Sequence, residues 1–283
     1  MIKAYATFAP AAEENYTENY SHSKWNFPSG ELGIELHNTD DLQNLHSITI
    51  DAQISTAEDI MELLLLADAI KNKNKSKDYK LNLTLPYIPF GRQDRYTTNH
   101  TSFSLKVFAD MINSVGFDKV LTNTPHSNVS ELLINNLVVS EFGDDKHLNF
   151  LFRETVLLDG KDVVFIAPDA GAEKRVYKAA KEFGVSEVYV CSKQRNPATG
   201  EITGYSVPAI PKDKRLVVID DICDGGGTFI HLASYLPKER KDLTLFVVHG
   251  IMSRGYKPLH NAGYDKVVAG YDFLKTYVEK EDA

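Results

Sequence analysis

Apolar and polar positions along the chain fall into strand-like and helix-like runs that alternate. "SITIDAQ" (47–53) reads as a strand, and in the following "AEDIMELLLLADAI" Ile60, Leu63, Leu64, Ala67 and Ile70 recur at helical spacing. "KLNLTLPYI" (80–88) predicts another strand, "SFSLKVFADMINSVG" (102–116) a helix closed by a glycine, and "DKVLTNTP" a short strand. The second half repeats the rhythm: "DVVFIAP", the helix "AEKRVYKAAKEFG", "EVYVCSK", "RLVVIDD", a helix from about 228, then "LTLFVVHG". Such alternation predicts an α/β fold with parallel sheets and helices on both faces. Two units in succession predict two similar domains, 1–145 and 146–283, although no residue-level repeat is visible. The low-hydrophobicity stretch 11–24 reads as a surface loop and "NKNKSKD" as a solvated turn.

One stretch departs from plain patterning. In "RLVVIDDICDGGGTFIHLA" (215–233) an apolar run ends in two aspartates, and three glycines precede a threonine. Leu216 to Ile219 read as a central parallel strand, covered on both faces. Asp220 and Asp221 then stand at its C-terminal end, where open α/β sheets bind ligands. Gly225, Gly226 and Gly227 allow a tight turn whose N–H groups converge on one anion. Thr228 is placed to cap a helix over Phe229–Tyr235, with the positive end of its dipole toward the loop. An ordinary strand-turn-helix corner requires neither the third glycine nor the paired acids.

Charge and composition narrow the function classes. The chain has 283 residues, 43% hydrophobic and 25% charged, with a net charge of −8. That balance disfavours nucleic acid and anionic membranes as partners, but not phosphorylated substrates met by local cations. Cys191 and Cys223, the two cysteines, form neither a zinc spacing nor a disulfide framework. No apolar stretch approaches the roughly 18 residues that span a bilayer, and no signal-peptide pattern is present. A cytoplasmic protein is the expectation.

Further motifs sit at predicted strand ends. "YIPFGRQDR" (87–95) carries Arg92, Gln93, Asp94 and Arg95 in a turn. Two arginines there suit phosphate oxygens; a surface salt-bridge cluster is the alternative. His126 follows a strand in "TNTPHSN", and Asp169 does so in "IAPDAGAEKR", where a carboxylate suits a metal or sugar hydroxyls. "CSKQRNPATGE" (191–201) reads as a mobile arm whose Lys193 and Arg195 close over a triphosphate, or else as an exposed charged hairpin.

Taken together these residues resemble the ribose-phosphate diphosphokinases, or phosphoribosyl pyrophosphate synthetases, from about Phe27 to Gly255. "FPSGELGIEL" is similar to the family's adenine-binding segment, with Phe27 and Glu31 in matching places. "GRQDR" matches its ATP-binding turn, which implies nucleotide roles for Arg92, Gln93 and Arg95. His126 matches a histidine that serves the nucleotide, Mg²⁺ and catalysis, and Asp169 a metal-associated aspartate. Lys193 and Arg195 match the catalytic pair. Asp220, Asp221, Asp224, Gly225, Gly226, Gly227 and Thr228 match the ribose 5-phosphate loop, which type I phosphoribosyltransferases share.

The resemblance implies two phosphoribosyltransferase-like domains, an ATP-binding N-terminal one and a C-terminal one bearing the sugar-phosphate loop. It implies Mg²⁺, ATP and ribose 5-phosphate as cofactor and substrates, and a homo-oligomer. The implied reaction moves the β,γ-diphosphate of ATP to the sugar's anomeric hydroxyl, with AMP leaving. A phosphoribosyltransferase would not need the Arg92–Gln93 turn or Lys193, and a regulatory paralogue would not keep the full set. Three departures stand out: Gly225 where the family has threonine, Ser29 where it has an acid, and Thr124-Pro125-His126 in place of Asp-Leu-His, with a shortened end "YDFLKTYVEKEDA". Loss of a donor and a branched side chain at 225 raises a 5-phosphodiester ribose such as ADP-ribose as an alternative acceptor, giving ADP-ribose 1-pyrophosphate.

Overall fold

In the computed structural model, which describes residues 1–8, 17–37, 45–75, 78–157, 162–195 and 202–274, the chain divides into two units, Met1–Ser140 and Glu141–Ala283. The first unit opens with β1 (Ile2–Phe8) and β2 (Thr17–Tyr20), then the hairpin β3 (His22–Asn26) and β4 (Leu32–Leu36). Next come β5 (Leu45–Ala52), α1 (Ala57–Lys73), β6 (Lys80–Thr84), α2 (Ser104–Val115), β7 (Lys119–Asn123), α3 (Val129–Leu133) and β8 (Leu137–Ser140). Its main sheet runs β2-β1-β5-β6-β7-β8, parallel from β5 to β8 and antiparallel at β1 and β2. Period-two alternation buries Ile48, Ile50, Leu81 and Leu83 against Leu63, Leu66 and Phe108 of the helices. The opposite positions Thr49, Asp51, Asn82 and Thr84 are half-buried.

Local sequence explains where the helices stop and start. Thr56 and Asp59 form a reciprocal capping box on α1: Asp59 N–H donates to Thr56 Oγ1 at 3.2 Å, and Thr56 N–H to Asp59 Oδ2 at 2.7 Å. Helix α2 ends at Gly116, whose φ of 69° is the left-handed closure expected of that glycine.

The second unit contains α4 (Lys146–Thr155), β9 (Val163–Ala167), α5 (Glu173–Phe183), β10 (Val188–Val190), and the hairpin β11 (Ser192–Arg195) and β12 (Ile202–Ser206). It continues with β13 (Arg215–Cys223), α6 (Gly227–Ala233), β14 (Asp242–Gly250), α7 (Lys257–Asn261) and β15 (Lys266–Asp272). The sheet order is β10-β9-β13-β14-β15, all parallel. Both faces are buried, as the unbroken apolar runs predict. Val164, Ile166, Leu216, Val218 and Leu245 join Phe229 and Leu259 on one face. Phe165, Val217, Ile219 and Phe246 join Phe152 and Val176 on the other.

Three expectations change. The 11–24 stretch is not all loop: Thr17–Tyr20 and His22–Asn26 are strands, while residues 11–16 lie outside the described residues. The hairpin packs Ile34 and Leu36 on the core and is fastened by polar groups as well, since Glu62 of α1 takes His22 Nε2 at 3.1 Å and Lys24 Nζ at 2.7 Å. Burial pushes the Glu62 carboxyl up, but the hydrogen bonds from His22 and Lys24 outweigh it and hold it below the usual range. Strand β6 ends at Thr84 instead of running to Ile88, because Pro86 lacks a ladder donor. Thr228 does not cap its helix; Gly226, with φ of 75°, occupies the N-cap and Thr228 lies inside α6.

Candidate active site

In the first unit, two non-glycine residues in the left-handed region set the chemistry-bearing loops. Phe90 (φ 61°) shapes the turn after β6, and the buried, β-branched Thr124 (φ 41°) shapes the one after β7. Such conformations cost on the order of 1–3 kcal/mol each and persist only where neighbours enforce them. Here Asn123 N–H donates to Pro86 O at 3.1 Å and Thr124 N–H to Ser140 O at 2.9 Å. The result gathers Arg92, Gln93, Asp94, Arg95 and His126 around a cleft of about 540 Å³, a volume suited to a nucleotide-sized ligand.

Pairing inside the cleft is specific. Asp94 takes Arg95 Nε at 2.8 Å, a second Arg95 nitrogen at 3.2 Å, and Ser127 Oγ at 2.7 Å. The Arg95 and Ser127 hydrogen bonds hold the Asp94 carboxyl below its ordinary range. Arg95, three-quarters exposed, is therefore partly neutralised by its neighbour. Ser104 Oγ donates to Gln93 Oε1 at 2.6 Å and fixes that amide. Phe27 and Glu31 are not among the residues lining this cleft. They lie at the tip of the β3–β4 hairpin, where Phe27 meets Trp25 edge-on with ring centroids 5.8 Å apart and Ser29 Oγ donates to Glu31 Oε2 at 2.7 Å.

The second unit concentrates its polar groups at one sheet edge. The chain runs from β9 outward to β10, then returns to the other side of β9 as β13, so the order reverses between β9 and β13. Crevices of this kind, at the carboxyl ends of the strands, are where doubly wound sheets bind ligands. Strand β13 outruns β9: their pairing ends at Val218 and Ile166, and Asp220 and Asp221 lie beyond it. Asp169 follows β9, with Oδ1 accepting Gly171 N–H at 2.9 Å and Ala172 N–H at 3.2 Å. Lys193 Nζ donates to Asp169 Oδ2. Lys193 therefore sits on a formed hairpin rather than a loose arm, although residues 196–201 of that stretch lie outside the described residues. Arg195 is the last residue of β11.

Of the three glycines, only Gly226 adopts the left-handed conformation, and a side chain there would also press on Leu259 at 3.1 Å. Asp224 begins the loop half-buried, and Gly227 has open space around it. Tyr205 of β12 donates its hydroxyl to Thr228 O at 3.1 Å, which ties the Lys193 hairpin to this loop.

Arg175, which no sequence motif singles out, joins the same group of residues. It stands on α5, six residues after Asp169, and places NH1 3.1 Å from Asp220 Oδ1 and 3.6 Å from Asp221 Oδ1. A cation in the first turn of the helix that follows a strand-end carboxylate is the available signal. Its Nε is buried without a hydrogen-bond partner.

Burial, reinforced by the neighbouring Asp221 charge, pushes the Asp220 carboxyl well above its ordinary value, and Arg175 opposes this only in part. An acid whose pKa is raised by folding binds more protons folded than unfolded. Stability then falls as pH rises from the unfolded value of about 3.9 through the folded one. Asp220→Asn is accordingly expected to lose less stability than the wild type between pH 4 and pH 7 in urea titrations. Parallel pH profiles would contradict this.

Cys191 and Cys223 are buried and unlinked, and burial pushes their thiols up to about 11 and about 12, so neither serves as a nucleophile at neutral pH. Among the described residues no three His, Cys, Asp or Glu side chains gather as a metal site, and no helix is long and apolar enough to cross a membrane.

Residues 11–116 match the family model for the N-terminal domain of ribose phosphate pyrophosphokinase, and residues 141–268 match the phosphoribosyl transferase domain. The chain belongs to the ribose-phosphate diphosphokinase family. The ribose-phosphate pyrophosphokinase of Mycoplasma genitalium is 28% identical over 222 residues, which is 78% of this chain and 64% of that protein. Ribose-phosphate pyrophosphokinase 2 of Archaeoglobus fulgidus is 28% identical over 245 residues, 86% of this chain and 81% of its own. The chain thus spans under two thirds of the length of the Mycoplasma relative, and more of the archaeal one. The crystal structure of phosphoribosylpyrophosphate synthetase from Mycobacterium smegmatis shares the fold, with a TM-score of 0.71 at 21% identity, covering 88% of this chain and 80% of that one.

Proposed function

We propose that this chain is a Mg²⁺-dependent diphosphokinase acting on ATP and ribose 5-phosphate. The observation that carries the reading is the gathering of Asp169, Arg175, Lys193, Asp220 and Asp221 at the β9–β13 crevice, beside a glycine loop. The first unit then takes ATP at the Arg92–Gln93–Arg95–His126 cleft; Phe27 and Glu31, which lie on the hairpin tip outside that cleft's lining, are assigned to the base by the family resemblance alone. The second takes the sugar: Asp220 and Asp221 accept hydrogen bonds from the ring hydroxyls, and residues 224–228 receive the 5-phosphate. The anomeric oxygen bonds to the β-phosphorus of ATP, the bond to the α,β-bridging oxygen breaks, and AMP departs as the hydroxyl proton passes to solvent. Lys193 and Arg195 neutralise charge on the transferring group.

The residues fit Mg²⁺ carried in on polyphosphate, because that ion keeps waters and phosphate oxygens and needs few protein ligands. By the family resemblance, Asp169 of the second unit and His126 of the first are the protein groups assigned to it, and the ion would supply charge neutralisation on the phosphates. A cytoplasmic setting and self-association belong to the same proposal, the latter supported by Trp25 and Phe27, 42% and 48% exposed on the hairpin.

Incubation of the protein with ATP, Mg²⁺ and either ribose 5-phosphate or ADP-ribose, followed by product mass and nucleotide analysis, tests the assignment. AMP and a diphosphorylated ribose 5-phosphate are expected. ADP with a monophosphorylated product would refute diphosphoryl transfer, and turnover of ADP-ribose alone would reassign the acceptor.

A further inference from the structure

A 5-phosphate monoester brings nearly two negative charges and three terminal oxygens, while position 225 offers no side-chain donor. The neighbouring turn supplies what is missing. After β14, Ile251 and Met252 both donate backbone N–H to Cys223 O, at 2.8 and 3.2 Å, which fixes this segment to the last residue before the sugar-phosphate loop. Met252 is held at φ 51° with its side chain fully buried in the core, and Gly255 N–H returns to Met252 O at 2.7 Å. Ser253 and Arg254 form the exposed tip of that turn. A side-chain carbon at Gly225 would lie 3.5 Å from Arg254 Nε, 3.7 Å from Arg254 Cδ and 3.8 Å from Ser253 Oγ. No hydrogen bond or ion pair joins Arg254 to another described residue. A guanidinium with no partner among the described residues thus stands beside the loop position where the family has threonine and this chain has glycine.

We propose that Arg254, assisted by the Ser253 hydroxyl, binds the acceptor's phosphate at the space left by Gly225. This rests on the acceptor assignment above. The guanidinium is a planar fork suited to two phosphate oxygens at once, so it exceeds what a single hydroxyl at 225 would give. The strained Met252 backbone is the means of presentation, since it turns the tip toward the loop while anchoring the turn in the core.

Arg254→Ala and Arg254→Lys test this, because an exposed side chain with no partner among the described residues is removed without disturbing the fold. The wild type and both variants would be titrated calorimetrically with ribose 5-phosphate in the absence of ATP, and assayed for turnover with ATP and Mg²⁺. Arg254→Ala is expected to weaken ribose 5-phosphate binding, and raise its KM, by about ten- to a hundredfold, as for loss of one charge-assisted hydrogen bond. The KM for ATP should stay unchanged, and Arg254→Lys should fall between the two because it keeps the charge without the fork. Equal affinity of wild type and Arg254→Ala, or no binding by the wild type, overturns the role of Arg254. Binding by the wild type without AMP release instead sinks the proposed reaction, and the titration alone then decides the site.

Discussion

Lys193→Ala is expected to fold normally and to lose about 10²–10³-fold in kcat, the usual cost of removing one donor that acts on developing charge. The side chain is only 12% exposed and is held in place from two directions. Its strand pairs Lys193 with Tyr205, and Tyr205 is itself fixed to Thr228. Its ammonium rests on Asp169, so the charge is positioned before any substrate arrives. Truncation leaves Asp169 with its two backbone N–H bonds, which is why the fold should survive. A group that acts mainly in the transition state lowers kcat far more than it raises KM. Steady-state kinetics in both substrates would show the split. Wild-type turnover in the variant would reduce the hairpin to a structural element.

Arg175→Ala should carry the largest stability cost of any single change at the site, roughly 3–5 kcal/mol, the range for stripping one partner from a buried ion pair. Arg175, Asp220 and Asp221 retain side-chain exposures of only 12%, 14% and 5%. Without the guanidinium, the two carboxylates face each other with no cation between them. Removing the one group that opposes burial and repulsion pushes Asp220 further up, and widens the pH range over which the folded state holds an extra proton. The defect should therefore be milder at pH 5 than at pH 8. Denaturant titrations at the two pH values would show it. Adding Asp220→Asn and Asp221→Asn should recover much of the loss. An equal defect at both pH values would mean that Arg175 acts through packing alone.

What the sequence discloses and what it hides divide along a physical line. Asp220 and Asp221 are legible because Leu216–Ile219 must be covered on both faces, which fixes a strand and hence its open end. Asp169 is legible for the same reason after "DVVFIAP". Arg175 is not, because nothing local to α5 states that its partners lie 45 and 46 positions away on β13. The β3–β4 hairpin is hard to detect because β4 offers only Ile34 and Leu36 to the core, and the rest of its attachment is the Lys24–Glu62–His22 cluster, which has no period. The left-handed Thr124 and Met252 are invisible too, since hydrogen bonds to Ser140 and Cys223, distant in sequence, hold those angles against the residues' own preferences. Of the three glycines, Gly226 alone is required by its φ; a Cβ at Gly225 would stand beside Arg254, and one at Gly227 would meet nothing.

The overrun of β13 past β9 separates two kinds of heritable change. On the proposed reading, sugar-hydroxyl recognition is built into a strand whose remaining length is core, and its charges are locked to α5, so mutations there are filtered first by folding. In the same reading phosphate recognition sits on two short loops, 224–228 and 252–255, that approach each other at Gly225 and Arg254 and leave the strand pairing of the sheet in place. A lineage could therefore exchange what hangs from the 5-position of the ribose in one or two steps, with the ribose itself kept as an invariant, and selection on acceptor choice would leave its record in those loops rather than in the strand.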